Sequence, residues 1–458
     1  MKGGAFLFGR QIISMGLSFV GVMMITRVIG PESYGSYAAA LGIYQYAVSL
    51  GQVGVGIYLV RLKGEADERE FGVAYSLLLA LAAILIFSIE GGLGLISSWI
   101  HVKGFDSLLR ILVLCLPFQL LAVPANARLE RRLDYRRVAM IELAGQMTFY
   151  VVAVPMVACG YGAWSLACGW FVQQALASLL SHVLAAARPR FDWDRAIAVR
   201  VAGYAASLSF ATWLWQLRGL VNPFIVGHFL GAESVGLVGL TIRLMEMLTF
   251  IKTIAWRLSI AGLARIQGDT ERMRRAVTQG MQLQILAVGP ILLGFGWAGG
   301  VLVPLIFGPR WLPMMNIYPF IALGYLTNSQ FNMHSSVLSV LRRNDQASVF
   351  HIIHVMLFAG VTALAIPRLG LVGYGGGEIA ALLSYWAIHS FVVRAIGSPD
   401  YRLSVIWWSG LALGLFWRQF GPWALAAPFL AVLSPVSLRQ LKVFALSLRG
   451  RQGETISA

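Results

Sequence analysis

Apolar residues along the chain gather in runs of about twenty or more, each long enough as an α-helix to cross the roughly 30 Å of a bilayer's hydrocarbon core. The runs do not alternate in polarity over about ten residues, as the strands of a membrane barrel would. The pattern predicts an all-α, polytopic membrane protein with about fourteen transmembrane helices. They run approximately over 6–29, 35–60, 73–99, 108–126, 138–158, 163–187, 202–226, 235–258, 277–303, 317–341, 348–367, 372–393, 403–420 and 423–438. No connection between them is long enough to form a separate soluble domain, and no signal-peptide cleavage site follows the first run, which is expected to be retained.

Of 458 residues, 58% are hydrophobic and 12% charged. A soluble domain carries roughly 25% charged residues, so too little polar surface is present to cover a globule of this length. The three cysteines, Cys115, Cys159 and Cys168, lie in or beside the spans without CxxC or Cys/His spacing. They read as small packing residues, and neither a metal nor a cofactor is expected. No Walker motif is present, so ATP is not expected to bind.

The formal net charge of +16 would suggest a nucleic-acid partner in a soluble protein. Here it follows the loops. With the N-terminus placed in the cytoplasm, the loops on that side carry clusters such as Arg128, Arg131, Arg132, Arg136 and Arg137, or Arg265, Arg272, Arg274 and Arg275. The opposite loops hold only Arg27, Lys103, Arg110, Arg310, Arg368 and Arg418. This alternation is a positive-inside pattern and predicts an even number of spans with both termini cytoplasmic. Nucleic acid is not expected as a partner.

A short motif occurs twice. Gly30-Pro31-Glu32-Ser33-Tyr34-Gly35 follows the first span and Gly231-Ala232-Glu233-Ser234-Val235-Gly236 follows the seventh, 201 residues later. Two weaker echoes keep the order: Arg61-Leu62-Lys63-Gly64-Glu65 with Arg265-Ile266-Gln267-Gly268-Asp269, and Arg131-Arg132-Leu133-Asp134 with Arg342-Arg343-Asn344-Asp345. Duplication of a six-span unit follows, giving parallel six-helix bundles over 1–200 and 201–400 and two peripheral helices with a basic tail over 401–458. In transporters built from parallel repeats, the site lies between halves that rock about it. In the motif itself, glycine ends one helix and the acidic residue stands near the positive N-terminus of the next.

Ionisable groups inside a membrane are costly and mark functional sites. At about 100° per residue, Tyr204, Ser207, Trp215, Arg218 and Asn222 share one face of the seventh span, and Arg243, Glu246, Thr253 and Arg257 one face of the eighth. Lys252 points the other way and reads as snorkelling to the interface. Arg10, Ser14 and Gly21 form a stripe on the first span. Gln45, Ser49, Gln52 and Gly56 form one on the second, and Asn328, Asn332, Ser335 and Ser339 one on the tenth. Glu378, Tyr385 and His389 align on the twelfth span, and His351 and His354 lie on the eleventh. Helix–helix hydrogen bonding accounts for any single uncharged stripe, whereas stripes in both halves favour a shared polar cavity. An excess of arginine over mid-span carboxylate points to an anionic ligand, for which the guanidinium fork suits phosphate. The candidate substrate-binding residues are Arg10, Gln45, Gln52, Arg218, Asn222, Arg243, Asn328 and Asn332. Glu246 and Glu378 are the candidate ion-coupling residues.

The stretch Ile25-Thr26-Arg27-Val28-Ile29-Gly30-Pro31-Glu32-Ser33-Tyr34-Gly35 resembles a hallmark of bacterial polysaccharide exporters. These are the lipid-linked oligosaccharide flippases of the multidrug/oligosaccharidyl-lipid/polysaccharide exporter superfamily. Gly160-Tyr161-Gly162-Ala163-Trp164-Ser165-Leu166 and the loop Arg265-Ile266-Gln267-Gly268-Asp269 with Arg272, Arg274 and Arg275 are similar to further parts of that family, and the resemblance extends to about residue 395. It implies two six-helix bundles around a cationic cavity in the bacterial inner membrane. The substrate it implies is an undecaprenyl-pyrophosphate-linked oligosaccharide, moved from the cytoplasmic to the periplasmic leaflet by alternating access for cell-surface polysaccharide biosynthesis. Membrane lipid is a partner on this reading, which admits a proton or sodium ion for coupling and glycan polymerase machinery as an associate. Arg10, Arg218 and Arg243 match the cavity by location. Three rivals remain. A cation-coupled small-molecule exporter of the same superfamily should place carboxylates where this chain has arginines. A membrane glycan polymerase or ligase should carry a sizeable outward loop. A scaffold for glycan assembly needs no cavity charge.

Overall fold

The computed structural model describes residues 2–52, 54–62 and 67–442, with the side chains of 2–13, 207, 208, 253, 254, 257, 258 and 261 excepted. Among them there is helix and turn but no strand. In chain order the helices are α1 (Lys2–Val28), α2 (Pro31–Gln52), α3 (Val55–Arg61), α4 (Glu68–Trp99), α5 (Phe105–Val113), α6 (Leu116–Arg131), α7 (Tyr135–Ala158), α8 (Ala163–Ala185) and α9 (Arg195–Gln216). After a 3-10 turn (Leu217–Leu220) and a π turn (Asn222–Val226) come α10 (Gly227–Leu248), α11 (Ile251–Arg265), α12 (Thr270–Ile306), α13 (Tyr318–Val340), α14 (Asn344–Leu369), α15 (Leu371–Ala381), α16 (Tyr385–Ile396) and α17 (Arg402–Leu415).

Every apolar window read from the sequence falls on this helical framework. Eight helices among the described residues are long and apolar enough to cross a membrane, or nine if the bent pair Pro422–Leu433 and Pro435–Lys442 is one span. The figure of about fourteen is therefore not reached on length and apolarity alone. The shortfall has a physical cause: α13, for example, carries Asn328, Gln330, Asn332 and His334 within two turns and a half, which break its apolar run.

The helices pack into two compact units. The first comprises Met1–Thr241, Val303–Met314 and His351–Gly377, the second Ile242–Leu302, Met315–Phe350 and Glu378–Ala458. In the first unit, Val55 and Leu59 of α3, Phe71, Leu78 and Ala82 of α4, Leu120 and Ala127 of α6, and Val201 and Ala205 of α9 form one buried apolar cluster. In the second, the Tyr318 hydroxyl donates to the Leu292 carbonyl at 2.7 Å and the Trp297 indole to the Gly414 carbonyl at 3.0 Å, tying α12 to α13 and α17.

The basic loops of the first unit serve the helix ends. A helix leaves its last carbonyls without intrahelical donors. Arg131 donates to the Leu59 and Leu62 carbonyls at 2.8 and 2.9 Å, at the end of α3, and Arg137 to the Leu184 carbonyl at 3.2 Å, at the end of α8. Asp194 caps α9 by accepting from the Ala196 and Ile197 N–H groups, and those hydrogen bonds, the Ile197 one foremost, hold its carboxyl below the usual carboxylate range. Arg128 grips Glu68 with both terminal nitrogens at 2.7 Å while its guanidinium lies 4.3 Å from the Phe71 ring centroid. The bidentate fork and the ring contact together make this pair stronger than an ordinary surface bridge. Arg128→Ala is expected to cost about 1–2 kcal/mol. A thermal melt of the purified variant checks it, and an unchanged midpoint would show the pair to be idle.

The two motif copies meet. Gly231 has φ +74°, a left-handed conformation suited to glycine, and ends one helical stretch so that another starts at Ala232, as α2 starts at Pro31 after Gly30. Glu32 and Glu233 fall in the first turns that follow. A methyl group on Gly35 would collide with the backbone of Ala232 and Gly236, and one on Gly236 with the backbone of Pro31 and Gly35. The contact is reciprocal, position for position, so the duplicated motif packs against itself with local two-fold character.

Candidate functional site

In the first unit the candidate groups gather around Arg218. The α-helical ladder of α9 tightens into the 3-10 turn that carries Arg218 and then widens into the π turn, a local irregularity of the kind found at functional positions. The half-buried Arg218 guanidinium stands 5.0 Å from the Phe358 ring centroid and 5.9 Å from that of Trp215. Trp215 in turn lies 5.2 Å from the His351 ring and 5.1 Å from the His354 ring. His351, His354 and Phe358 line one face of α14, and His351 Nδ1–H reaches the Ala211 carbonyl at 2.8 Å. An arginine between aromatic faces keeps its charge and its planar fork while losing much of its water, which strengthens whatever hydrogen bonds it makes.

The helix bearing Gln45 and Gln52 adjoins this turn. The Trp213 indole donates to the Ser49 carbonyl at 2.8 Å, and both glutamine side chains are exposed. Asn222 has a different role. It is 7% exposed and donates to the Val235 carbonyl at 3.2 Å, bracing the π turn. The single face drawn from Tyr204 to Asn222 is interrupted beyond Trp215, because the 3-10 and π turns that carry Arg218 and Asn222 change the rotation per residue. Tyr204 accepts from Arg61 at 3.0 Å.

In the second unit, Arg243 and Glu246 pair at 3.5 Å with 46% and 53% of their side chains exposed, an open pair on the last turns of α10. The helix then breaks at Thr249–Phe250 before α11 begins. The break re-aims Lys252, which does not snorkel. Its ammonium donates to Asn328 Oδ1 at 2.8 Å and lies 4.7 Å from the Tyr325 ring centroid. Asn328 donates to the Tyr385 hydroxyl at 3.2 Å, and Asn332 donates to Gln284 Oε1 at 2.9 Å and to the Lys252 carbonyl at 3.2 Å. The stripe of α13 thus becomes one polar network on α11, α12, α13 and α16. Glu378 is 2% exposed on α15. The side chains of Arg10, Thr253 and Arg257 lie outside the described ones. Groups of three or more His, Cys, Asp or Glu with metal-binding geometry are absent among the described residues.

Sequence reading missed the aromatic walls of Arg218, because Phe358 lies 140 residues along the chain from it. It also missed Gln284, His334 and Tyr401, single polar residues with no stripe of their own. Lys252→Met removes a charged donor from a part-buried amide, and the melting midpoint of the variant is expected to fall by an amount equivalent to about 2 kcal/mol. No change in that midpoint would mean that Asn328 gains nothing from the ammonium.

Residues 24–316 match the family model described as polysaccharide biosynthesis protein. The chain is 23% identical over 366 residues to the succinoglycan biosynthesis transport protein ExoT of Rhizobium meliloti (strain 1021), covering 79% of this chain and 71% of that one. It is 22% identical over 403 residues to the lipopolysaccharide biosynthesis protein WzxC of Escherichia coli (strain K12), covering 86% and 81%. Among solved structures it is similar to the lipid II flippase MurJ in an inward closed conformation, with a TM-score of 0.73 and 12% identity over 97% of this chain and 99% of that one.

Proposed function

The chain belongs to the polysaccharide biosynthesis protein family, and we propose that it is a flippase for an undecaprenyl-pyrophosphate-linked oligosaccharide in cell-surface polysaccharide biosynthesis. A transporter rather than an enzyme is what its relatives' names support, one of them a transport protein for succinoglycan biosynthesis. The observation that carries the substrate class is Arg218, an arginine within an apolar span, set between Trp215 and Phe358. Its planar fork suits the two phosphates of a lipid pyrophosphate better than a lysine would.

On this reading the protein lies in the bacterial inner membrane with both termini cytoplasmic, supported by the positive-inside pattern of the loops. The polyprenyl tail stays in lipid while the head group enters the cavity. Arg218, Arg243 and Arg10 neutralise the pyrophosphate. The exposed amides of Gln45 and Gln52, and Asn222, Asn328 and Asn332, bond sugar hydroxyls or hold the elements that do. The halves 1–200 and 201–400 then rock to expose the head group outward. Glu246 and Glu378 are the carboxylates of the scheme that could exchange a proton or bind sodium, and a glycan polymerase would receive the product.

The test is leaflet access of a labelled polyprenyl-pyrophosphate oligosaccharide in proteoliposomes, comparing the natural protein with Arg218→Ala. Movement by the former and not the latter supports the reading. A natural protein that moves no such glycan, across those of its own gene neighbourhood, sinks it.

A further inference from the structure

One cluster of titratable groups has no part in the scheme above. In the second unit His334 of α13 and His389 of α16 converge on a single hydroxyl, that of Tyr401, in the short connection between α16 and α17. His334 Nε2 lies 2.5 Å from Tyr401 Oη and His389 Nδ1 lies 2.8 Å from it. His334 is fully buried, at 0% exposure, and its Nδ1 has no partner among the described residues. His389 is only half-buried. Phe331 closes the cluster, its ring centroid 4.8 Å from that of His334 and 4.9 Å from that of Tyr385.

We infer that His334, Tyr401 and His389 form a proton-binding relay whose occupancy sets the packing of α13 against α16, and so couples protons to transport. The inference rests on the transporter reading for its consequence, though not for its chemistry. A hydroxyl has one proton to give, so it donates to one imidazole and must accept from the other. Two arrangements follow, the second with Tyr401 donating to His389 Nδ1 and accepting from His334 Nε2–H. In the first, His389 Nδ1–H donates to Tyr401, Tyr401 donates to His334 Nε2, and His389 Nε2 is a bare lone pair on the half-buried ring. A proton from water binds there. His389 Nδ1–H then passes its proton to Tyr401 Oη as Tyr401 passes its own to His334 Nε2. His389 is left neutral with its proton on Nε2, Tyr401 remains a neutral phenol, and the single added charge sits on His334. One proton has entered and one has reached the buried ring.

A merely structural triad would satisfy both nitrogens of the buried ring. Here His334 holds a proton on Nδ1 in either charge state of the first arrangement, facing a pocket with no acceptor among the described residues and walled by Phe331 and Tyr401, and uptake adds a positive charge to that ring. A buried cation in that setting is unstable unless the packing opens to water or an acceptor. Proton uptake and loosening of α13 from α16 are thereby linked, and a ligand that binds one conformation better shifts the balance. The other titratable and charged groups of these elements are Tyr318 and Tyr325 on α13, Lys252, Arg257 and Arg265 on α11, Glu271, Arg272, Arg274 and Arg275 on α12, Tyr385 and Arg394 on α16, and Asp400 and Arg402 beside Tyr401. Lys252 is engaged by Asn328, and the Arg257 side chain lies outside the described ones.

The experiment uses the full chain in lipid nanodiscs and needs no substrate. Hydrogen exchange over 325–340 and 385–401, corrected for the intrinsic rate, is measured from pH 5.5 to 8 for the natural protein, Tyr401→Phe, His334→Gln and His389→Gln. The natural protein is expected to lose protection on acidification by up to about tenfold per pH unit, the limit for one linked proton. Tyr401→Phe breaks the relay by loss of one oxygen and is expected to flatten the pH dependence at unchanged melting temperature. The same pH response in natural protein, Tyr401→Phe and His389→Gln would overturn the relay. Flipping assays at symmetric pH supply the second arm. A natural protein that shows the exchange response but moves no lipid-linked glycan separates failure of the flippase reading from failure of the relay.

Discussion

Arg218→Ala is expected to slow movement of a lipid-pyrophosphate oligosaccharide on the order of a hundredfold, with protein yield and melting temperature little changed. Two charge-assisted hydrogen bonds to phosphate are worth about 3 kcal/mol in a poorly hydrated site, and each 1.4 kcal/mol is about tenfold in a binding or rate constant. Arg218→Lys discriminates further. It keeps the charge and loses the fork, so an intermediate rate is expected if geometry matters and a natural rate if only charge does. The setting favours geometry, since Phe358 and Trp215 lie 5.0 and 5.9 Å from the guanidinium. The outcome against the proposal is natural flipping by the alanine variant, which would make Arg218 a packing residue. Slowed flipping accompanied by a large loss of thermal stability would assign it to the fold rather than to the ligand.

Helix and helix ends were legible because each rests on local chemistry. Runs of apolar residues marked the helices, Gly30 and Gly231 their ends, and the twice-used motif marked a duplication, though not the contact between its copies at Gly35 and Gly236. Rotational positions within the spans were legible only while the helix stayed regular. The wheel failed at residues 217–226 and at 249–250, where 3-10, π and broken turns intervene, and with it failed the reading of Lys252. Partners far along the chain carried no sequence signal. Nothing in a span containing Arg218 announces Phe358, and nothing in the stripe of Asn328 and Asn332 announces Gln284. The use of Arg131 and Arg137, holding the carbonyls of helix ends, is visible only in three dimensions.

Gly236→Ala and Gly35→Ala are each expected to destabilise the protein by about 1–3 kcal/mol, the usual cost of overpacking a close contact. The size of the effect follows from what the new methyl meets. At either position it would run into main chain of the other motif copy, which cannot rotate aside as a flexible side chain could. An exposed helical glycine replaced by alanine would gain about 0.8–1 kcal/mol from propensity, so the steric term has to exceed that gain before any loss is seen. The crossing is shared, and that makes the double variant informative. Once one methyl has pushed α2 away from the helix starting at Ala232, the second enters space already opened. The two penalties should therefore sum to more than the double variant shows, by about 0.5–3 kcal/mol of coupling. Thermal unfolding of the two single variants and the double variant in one detergent gives the cycle. Additive penalties would mean that the two glycines do not share a contact, and stabilisation by either alanine would mean that the motif copies stand apart in the folded protein.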